Sequence, residues 1–398
     1  MLEKFAEKVG KNVKIALAVS GGADSICMTL LCHQLCLRPI ILIVDHKLRD
    51  ESSDEALYVK NYIEENFNFK TKILVWQRDK NVTSNIQSKA RDARYKLLIS
   101  ECKQLGIENL YTAHNKNDQA ETVLMNIMRG TGIDGLIGIR EDSVVDSIKI
   151  LRPMLCFTRE EIESYLKLYN ISWVNDPSNE STKYERVKVR KLMKSISDSN
   201  LVNAQHLISR LNLLSENATR SQRFIERYVN KKIDEICQFF HMNVVIVDIV
   251  QLIIEEEEII LRILRRLLKI VGEQENYVRG ESLIKLYKKI LSKNNQLSAT
   301  LGGCLIWNGV KNSRNVLVLS QESIKNQYQI NKNEVKALEE VFYRLKSEYI
   351  VYNKNIYYKA KKMIANVPRV HKLLSAVQYE LVDGKKFYHS LGIAQILD

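Results

Sequence analysis

The sequence predicts an α/β protein: an N-terminal parallel sheet with helices on both faces, then a mostly helical domain and a small mixed α+β C-terminal domain. Three observations carry this. Between Val13 and about Leu151, short β-branched runs alternate with helical periods, as a parallel sheet with crossover helices requires. Beyond the loop Asn175–Tyr184 the β-runs thin out and long amphipathic stretches take over. From about Asn331 the composition shifts to tyrosine with lysine, including Tyr343, Tyr349, Tyr357, Tyr358, Lys361 and Lys362.

The predicted strands are Val13–Val19, Pro39–His46, Thr71–Trp76, Leu110–Ala113 and Ile148–Leu151. Between them, Ile26, Leu30 and Leu31, and then Ala90, Ala93, Leu97 and Leu98, repeat at the i, i+3, i+4, i+7 spacing of helices buried along one face. Val187–Val229 reads as long helices with short polar breaks. Glu255–Val271 is another helix, its acids first and Arg262, Arg265, Arg266 and Lys269 later, the order that the helix dipole favours. Only four prolines occur, so helices are seldom interrupted. The expected domains are residues 1–200, with the predicted parallel sheet; 201–320, mostly helical; and 331–398, small and basic. The last holds twelve Lys/Arg against seven Asp/Glu.

Composition narrows the function classes. A chain of 398 residues exceeds what one core usually organises. With 45% apolar and 27% charged residues it is globular, and a net charge of +13 favours a polyanionic partner. No uncharged apolar run reaches the roughly 18 residues of a spanning helix, and the N-terminus carries acids among its bases, unlike a secretion signal. The expectation is a cytoplasmic protein without a membrane partner. Seven cysteines without a C-x-x-C pair read as buried thiols and argue against a structural zinc or a cysteine-held cluster.

The first strand runs into Ser20-Gly21-Gly22-Ala23-Asp24-Ser25, followed at once by a helical run. Such a loop aims backbone N–H groups and a helix N-terminus at one spot, where they stabilise phosphate oxygens. A Walker loop carries a lysine before Ser/Thr; here Asp24 stands in that place and is available to hold Mg²⁺. Gripping pyrophosphate as a leaving group suits attack at the α-phosphorus and transfer of AMP.

This loop resembles the hallmark of the N-type ATP pyrophosphatases, the PP-loop family. Further strings narrow the resemblance to the tRNA(Ile)-lysidine synthetases: Val44-Asp45-His46-Lys47-Leu48-Arg49, Ala90-Arg91-Asp92-Ala93-Arg94-Tyr95, Thr112-Ala113-His114, Asp118-Gln119-Ala120-Glu121-Thr122, Arg129-Gly130-Thr131-Gly132, Arg152-Pro153-Met154-Leu155 and Asn175-Asp176-Pro177-Ser178-Asn179. They span about the first half of the chain, in order. The resemblance implies a PP-loop fold and a ligase that uses ATP and Mg²⁺. It adenylates the 2-carbonyl oxygen of the wobble cytidine in an isoleucine tRNA with a CAU anticodon, and L-lysine then displaces AMP. Lysidine results, and codon reading changes from AUG to AUA. Oligomeric state is not legible in the sequence, and a homodimer is compatible with it.

Within that resemblance, Ser20, Gly21, Gly22, Ala23, Asp24 and Ser25 are expected to bind ATP, with Asp24 and Asp118 at the metal. Asp45, at the end of the second strand, is the candidate for orienting or deprotonating lysine. Arg91 and Arg94, at i, i+3 on one helix, suit clamping phosphate or stacking on a base, and His114 completes the catalytic set. His46, Arg49, Arg129, Arg152, Asp176, Asn179, Arg186 and Arg190 are expected around lysine or tRNA. Two positions depart from the family pattern: Asn115 stands where a second histidine is usual, and Val187 where an asparagine is. An amide hydrogen-bonds but is no general base near neutral pH. Rival readings are a tRNA thiolase, which needs cysteines in defined places, a small-molecule ligase such as an NAD or GMP synthetase, and a non-catalytic RNA-binding protein with a decayed site.

Overall fold

In the computed structural model, β1 (Ile15–Ala18) alternates its side chains between two cores, Ile15 and Leu17 to one face and Ala16 to the other. The neighbouring strands keep the same alternation. In β2 (Ile40–Asp45), Ile41 and Ile43 face the first core and Leu42 the second; in β4 (Asn109–Thr112), Tyr111 and Leu110 divide likewise. This is the period of two that a sheet covered on both faces requires. The structure describes residues 1–10, 13–47, 51–77, 86–174, 185–199, 202–240, 244–273, 278–292, 297–311, 314–322, 386–390 and 393–397. Two compact units result, Met1–Gln222 and Arg223–Asp398.

In the N-terminal unit the sheet order is β3-β2-β1-β4-β6-β5, with β3 Thr71–Val75, β5 Asp142–Val145 and β6 Ile148–Leu151. All pairings are parallel except β5 on β6. One face is covered by α1 (Leu2–Ala6), α2 (Ala23–Gln34), α3 (Ser52–Phe67) and α7 (Arg159–Leu168), the other by α4 (Ile86–Gln104). The strand order reverses between β1 and β4, so the crevice beyond their carboxyl ends is the place where open parallel sheets bind ligands.

The remaining helices of this unit brace that crevice. α5 (Lys116–Met128) follows β4, α6 (Ile133–Leu136) is short, and α8 (Glu185–Asp198) packs on α5. The first turns of α9 (Ala204–Ile236) hold α5 from behind: Asn212 Nδ2 donates to the Lys116 carbonyl (3.0 Å) and Gln119 Nε2 to Ser215 Oγ (2.7 Å).

In the C-terminal unit, β7 (Cys237–Phe240), β8 (Val244–Asp248), β9 (Ser298–Leu301), β10 (Cys304–Lys311) and β11 (Arg314–Gln321) form an antiparallel sheet of order β7-β8-β11-β10-β9. α10 (Ile249–Ile253) follows β8. The sheet packs against the end of α9 and against α11 (Glu257–Gly272) and α12 (Gly280–Leu291). α11 buries Ile260, Ile263, Leu264, Leu267, Leu268 and Val271, a full helical stripe in which each side chain contributes roughly 1.5–3 kcal/mol of transfer free energy. The helices match the sequence reading. The sheet adds to it, because its strands lie inside the stretch read as mostly helical. Of residues 331–398 the structure describes the hairpin β12 (Lys386–Ser390) and β13 (Ile393–Leu397); the rest of the expected third domain lies outside the described residues. Among the described residues no helix is long and apolar enough to cross a membrane.

Candidate active site at the carboxyl edge of the parallel sheet

The turn after β1 is built so that only glycine serves at position 21. Gly21 has φ +83°, and a Cβ there would lie 2.5 Å from Val59 Cγ2 of α3. Its carbonyl accepts from Val174 N at 2.9 Å, which fixes the outer side of the turn. Gly22 is the N-cap of α2, and Ser25 in the first turn reaches back to it, its Oγ donating to the Gly22 carbonyl (3.0 Å) and accepting from Ser20 N (3.3 Å). Ala23 and Ser25 are buried, Gly22 and Asp24 half-buried. The N–H of Ser25 is taken by the Gly22 carbonyl (3.1 Å); those of Ala23 and Asp24 come too early in α2 for an acceptor inside the helix and are presented at the sheet edge, the arrangement that binds phosphate.

Asp24, on the first turn of α2, meets α5 through one amide. Asn115 Nδ2 donates to Asp24 Oδ1 at 2.8 Å, while Asn115 Oδ1 accepts from Asp118 N at 2.9 Å. Asp118 Oδ2 accepts in return from Asn115 N at 3.1 Å, which completes a capping box. With its oxygen committed to the helix, the buried amide of Asn115 can offer only N–H to Asp24. The Asp24 carboxyl is raised above the usual range by burial; the Asn115 hydrogen bond opposes this and the charge of Asp118 adds to it. A buried carboxyl whose ionisation is opposed by a neighbouring carboxylate fits a divalent cation. Among the described residues no cluster of three or more His, Cys, Asp or Glu side chains forms a self-contained metal cage. The pair therefore suits Mg²⁺, which is commonly held by one or two carboxylates together with substrate phosphates and water.

Opposite the acids lies a concentration of positive charge. His114, at the end of β4, shares a hydrogen bond with Thr112 Oγ1 (3.1 Å). Its imidazole is pushed down to about 3, first by burial and then by the guanidiniums of Arg152, Arg91, Arg94 and Arg186. Four arginines from three separate elements thus act on one neutral ring. Arg91 and Arg94 both lie over Tyr95, with Cζ 5.6 and 5.5 Å from the ring centroid. Arg152 is held by the Arg140 carbonyl (2.8 Å) and Ser143 Oγ (3.2 Å), and Arg186 Nη1 stands 3.9 Å from Asp118 Oδ1. Next to it on α8, Arg190 Nε donates to Glu121 Oε1 at 2.6 Å, and Glu121 Oε2 is buried with no hydrogen-bond partner among the described residues.

Residues 1–196 match the PP-loop domain family. The tRNA(Ile)-lysidine synthase of Wolbachia sp. subsp. Brugia malayi (strain TRS) is 35% identical over 317 residues, which cover 78% of this chain and 72% of that protein. The chain belongs to the tRNA(Ile)-lysidine synthase family. The synthases of Wolbachia pipientis wMel (36% identity; 78% of this chain, 72% of that one) and of Anaplasma marginale strain St. Maries (36%; 73% and 62%) are further relatives. A synthase of this family is an enzyme, and ATP is the nucleotide of its PP-loop domain.

Within this synthase-family site, the loop Ser20–Ser25, Asp24 with Asp118, and the group Arg91, Arg94, His114, Arg152 and Arg186 come together at the sheet edge. Arg190 adjoins them through Glu121. Arg129 does not join them, since its guanidinium pairs with Glu185 on the exposed surface. Arg49, Asp176 and Asn179 lie outside the described residues. Asp45 is buried, with Oδ1 accepting from Lys47 N (2.9 Å) and Ser52 Oγ (2.8 Å) and Oδ2 from Ser53 Oγ (2.6 Å). Burial works to raise its carboxyl, and those hydrogen bonds, Ser53 first, hold it below the usual range. Both oxygens being engaged, the geometry favours orienting over proton abstraction. His46 stacks edge-on against Trp76, with centroids 6.1 Å apart. The sequence reading treated Asn115 as a departure and gave Glu121 no role. The spacing Asn115-x-x-Asp118 ahead of an apolar run is a capping signal that was present to be read; nothing in the sequence marked Glu121 as buried. Val187 is buried on α8 and packs where an asparagine would need a hydrogen-bond partner.

Proposed function

We propose that this chain ligates L-lysine to the 2-carbon of the wobble cytidine of an isoleucine tRNA with a CAU anticodon, through an adenylated tRNA. The observation that carries this reading is the junction of the PP-loop with α5, where Asn115 ties Asp24 to Asp118 facing four arginines around a neutral His114. Anionic groups are stabilised on the arginine side and a cation on the acid side, so a nucleoside triphosphate has complementary charge at both ends.

In the first step the cytidine 2-carbonyl oxygen attacks the α-phosphorus of ATP. A P–O bond forms, the bond from the α-phosphorus to the oxygen bridging it to the β-phosphorus breaks, and pyrophosphate leaves with that oxygen along the N–H groups of the Ser20–Ser25 turn. Arg91 and Arg94, stiffened against Tyr95, orient the adenylate. Mg²⁺, which Asp24 and Asp118 would hold, supplies charge neutralisation on phosphate oxygens. In the second step the lysine ε-amine attacks the activated carbon, the C–O bond breaks so that AMP leaves with the oxygen, and the proton shed by the amine passes to water. Asp45 orients this amine, with His46 beside it. Neutral His114 accepts or donates a hydrogen bond without adding charge. The basic C-terminal unit grips the tRNA body, and the enzyme works in the cytoplasm.

Incubation with ATP, Mg²⁺, labelled lysine and bulk bacterial tRNA tests this. Label should enter a nucleoside stable to the mild alkali that strips aminoacyl esters, and Asp24→Ala should abolish it. Pyrophosphate release triggered by tRNA without label transfer would leave adenylation standing and make lysine the wrong second substrate.

A further inference from the structure

The outer face of α9 in the C-terminal unit carries Arg223, Phe224, Arg227 and Lys231, at spacings that place them on one side of the helix. Phe224 is 64% exposed, the greatest exposure of any phenylalanine among the described residues. The opposite side of the same segment is buried in the core through Val229, Ile233 and Ile236. Glu226, the acid beside Arg227, is turned inward as well. It receives Arg262 Nη1 at 2.8 Å and also pairs with Arg266, both from α11. The outer arginines therefore keep their charge uncompensated: among the described residues no carboxylate pairs with Arg223 or Arg227, and Lys231 has only a 3.7 Å contact to Glu235.

We infer that this stripe is an RNA-docking surface, in which Phe224 packs on an unpaired base or ribose of the tRNA and Arg223, Arg227 and Lys231 contact the flanking phosphates. An apolar patch alone would suit a protein partner. A solvent-facing ring between two uncompensated guanidiniums on consecutive turns instead has the composition of a stacking platform within a phosphate track. The inference rests on tRNA being the substrate.

The test measures binding of unmodified CAU-anticodon tRNA to the full chain by filter retention over a range of KCl, beside lysidine formation at saturating tRNA. Phe224→Ala should raise Kd about tenfold, by the usual worth of a base–aromatic stack, while kcat holds; Phe224→Trp should keep wild-type affinity. Arg223→Gln with Arg227→Gln should lower the slope of log K against log salt by roughly 1.4–1.8, two phosphate contacts' worth. Thermal melts of these surface variants should match wild type. Unchanged Kd and slope would overturn the inference. So would a change in self-association by sedimentation with tRNA affinity intact, which would make the face an interface between copies. Loss of lysidine formation in wild type with the tRNA-binding differences preserved would instead overturn the proposed reaction and leave this surface standing.

Discussion

In the C-terminal unit Glu255 receives Lys232 Nζ at 2.9 Å and the Tyr228 hydroxyl at 2.8 Å; burial works to raise its carboxyl, yet these partners hold it below the usual range. In the N-terminal unit Asp24 receives a single amide and faces the charge of Asp118, and its carboxyl is raised. Glu121 is similar: burial raises it, against the pull of Arg190, and one of its oxygens has no hydrogen-bond partner among the described residues. The contrast teaches where the molecule spends stability. Acids that hold the C-terminal unit together are neutralised within the fold, while Asp24 at the sheet edge is hydrogen-bonded, among the described residues, by a neutral amide, as a group awaiting a cationic partner would be.

The largest effect should come from Asp24→Asn, which removes the charge and keeps an acceptor for Asn115. Activity should fall by about 10²–10³-fold or more, by analogy with the loss of one preorganised electrostatic contact. The free protein should become more stable. The sign follows from the raised carboxyl: its ionised form is disfavoured in the fold, so Asp24 costs stability above its folded pKa, and this cost disappears as pH falls through that value. The variant should therefore show a higher Tm at pH 7.5 and a smaller gain on acidification, read by calorimetry. Asn115→Asp should separate the two roles of the bridge. Aspartate caps a helix as well as asparagine does, but its carboxylate cannot donate to Asp24 and adds a buried charge beside two acids, so stability should fall by about 1–3 kcal/mol, while the third acid should cut activity and raise the Mg²⁺ requirement. Asn115→Ala should in addition lose the cap, about 1 kcal/mol by denaturant titration.

Arg190→Gln should leave Glu121 buried with its partner weakened. Because Arg190 is more than a third exposed, the cost is discounted to about 1–2 kcal/mol, and the loss should shrink in acid as Glu121 takes a proton. His114 should be invisible in the pH–activity profile near its ordinary value, since its folded pKa lies at about 3. Its depressed value favours stability above the unfolded pKa of about 6.5, lost progressively as pH falls from there toward 3; NMR should show the His114 imidazole not titrating between pH 5.5 and 8. The smallest effect belongs to Glu141→Gln, which breaks an exposed 3.0 Å pair with Lys8 and should shift stability by less than about 0.5 kcal/mol.

The parallel sheet and its loop were legible because each uses a pattern local in sequence: β-branched runs of period two, and Ser20–Ser25 set between strand and helix. β5 was not, since its four residues are largely exposed and its hairpin turns on Asp146 and Ser147 at φ +49° and +70°, without the Asn-Gly signature of such turns. The antiparallel sheet was masked by the strong stripes of α9, α11 and α12 around it. At the site, residue types were readable but pairings were not. Asn115 looked like a lost histidine until α2 and α5 were brought together, and the hydroxyls that occupy Asp45 come from a helix beginning seven residues further on.

The most direct test of the acid-facing-arginine site is pyrophosphate release from ATP in the absence of lysine, with and without CAU-anticodon tRNA, in wild type and Asp24→Asn. Wild type should release pyrophosphate only when tRNA and Mg²⁺ are present, and the variant should not release it at all. Release of orthophosphate in place of pyrophosphate, or turnover indifferent to both the tRNA and Asp24, would contradict the account.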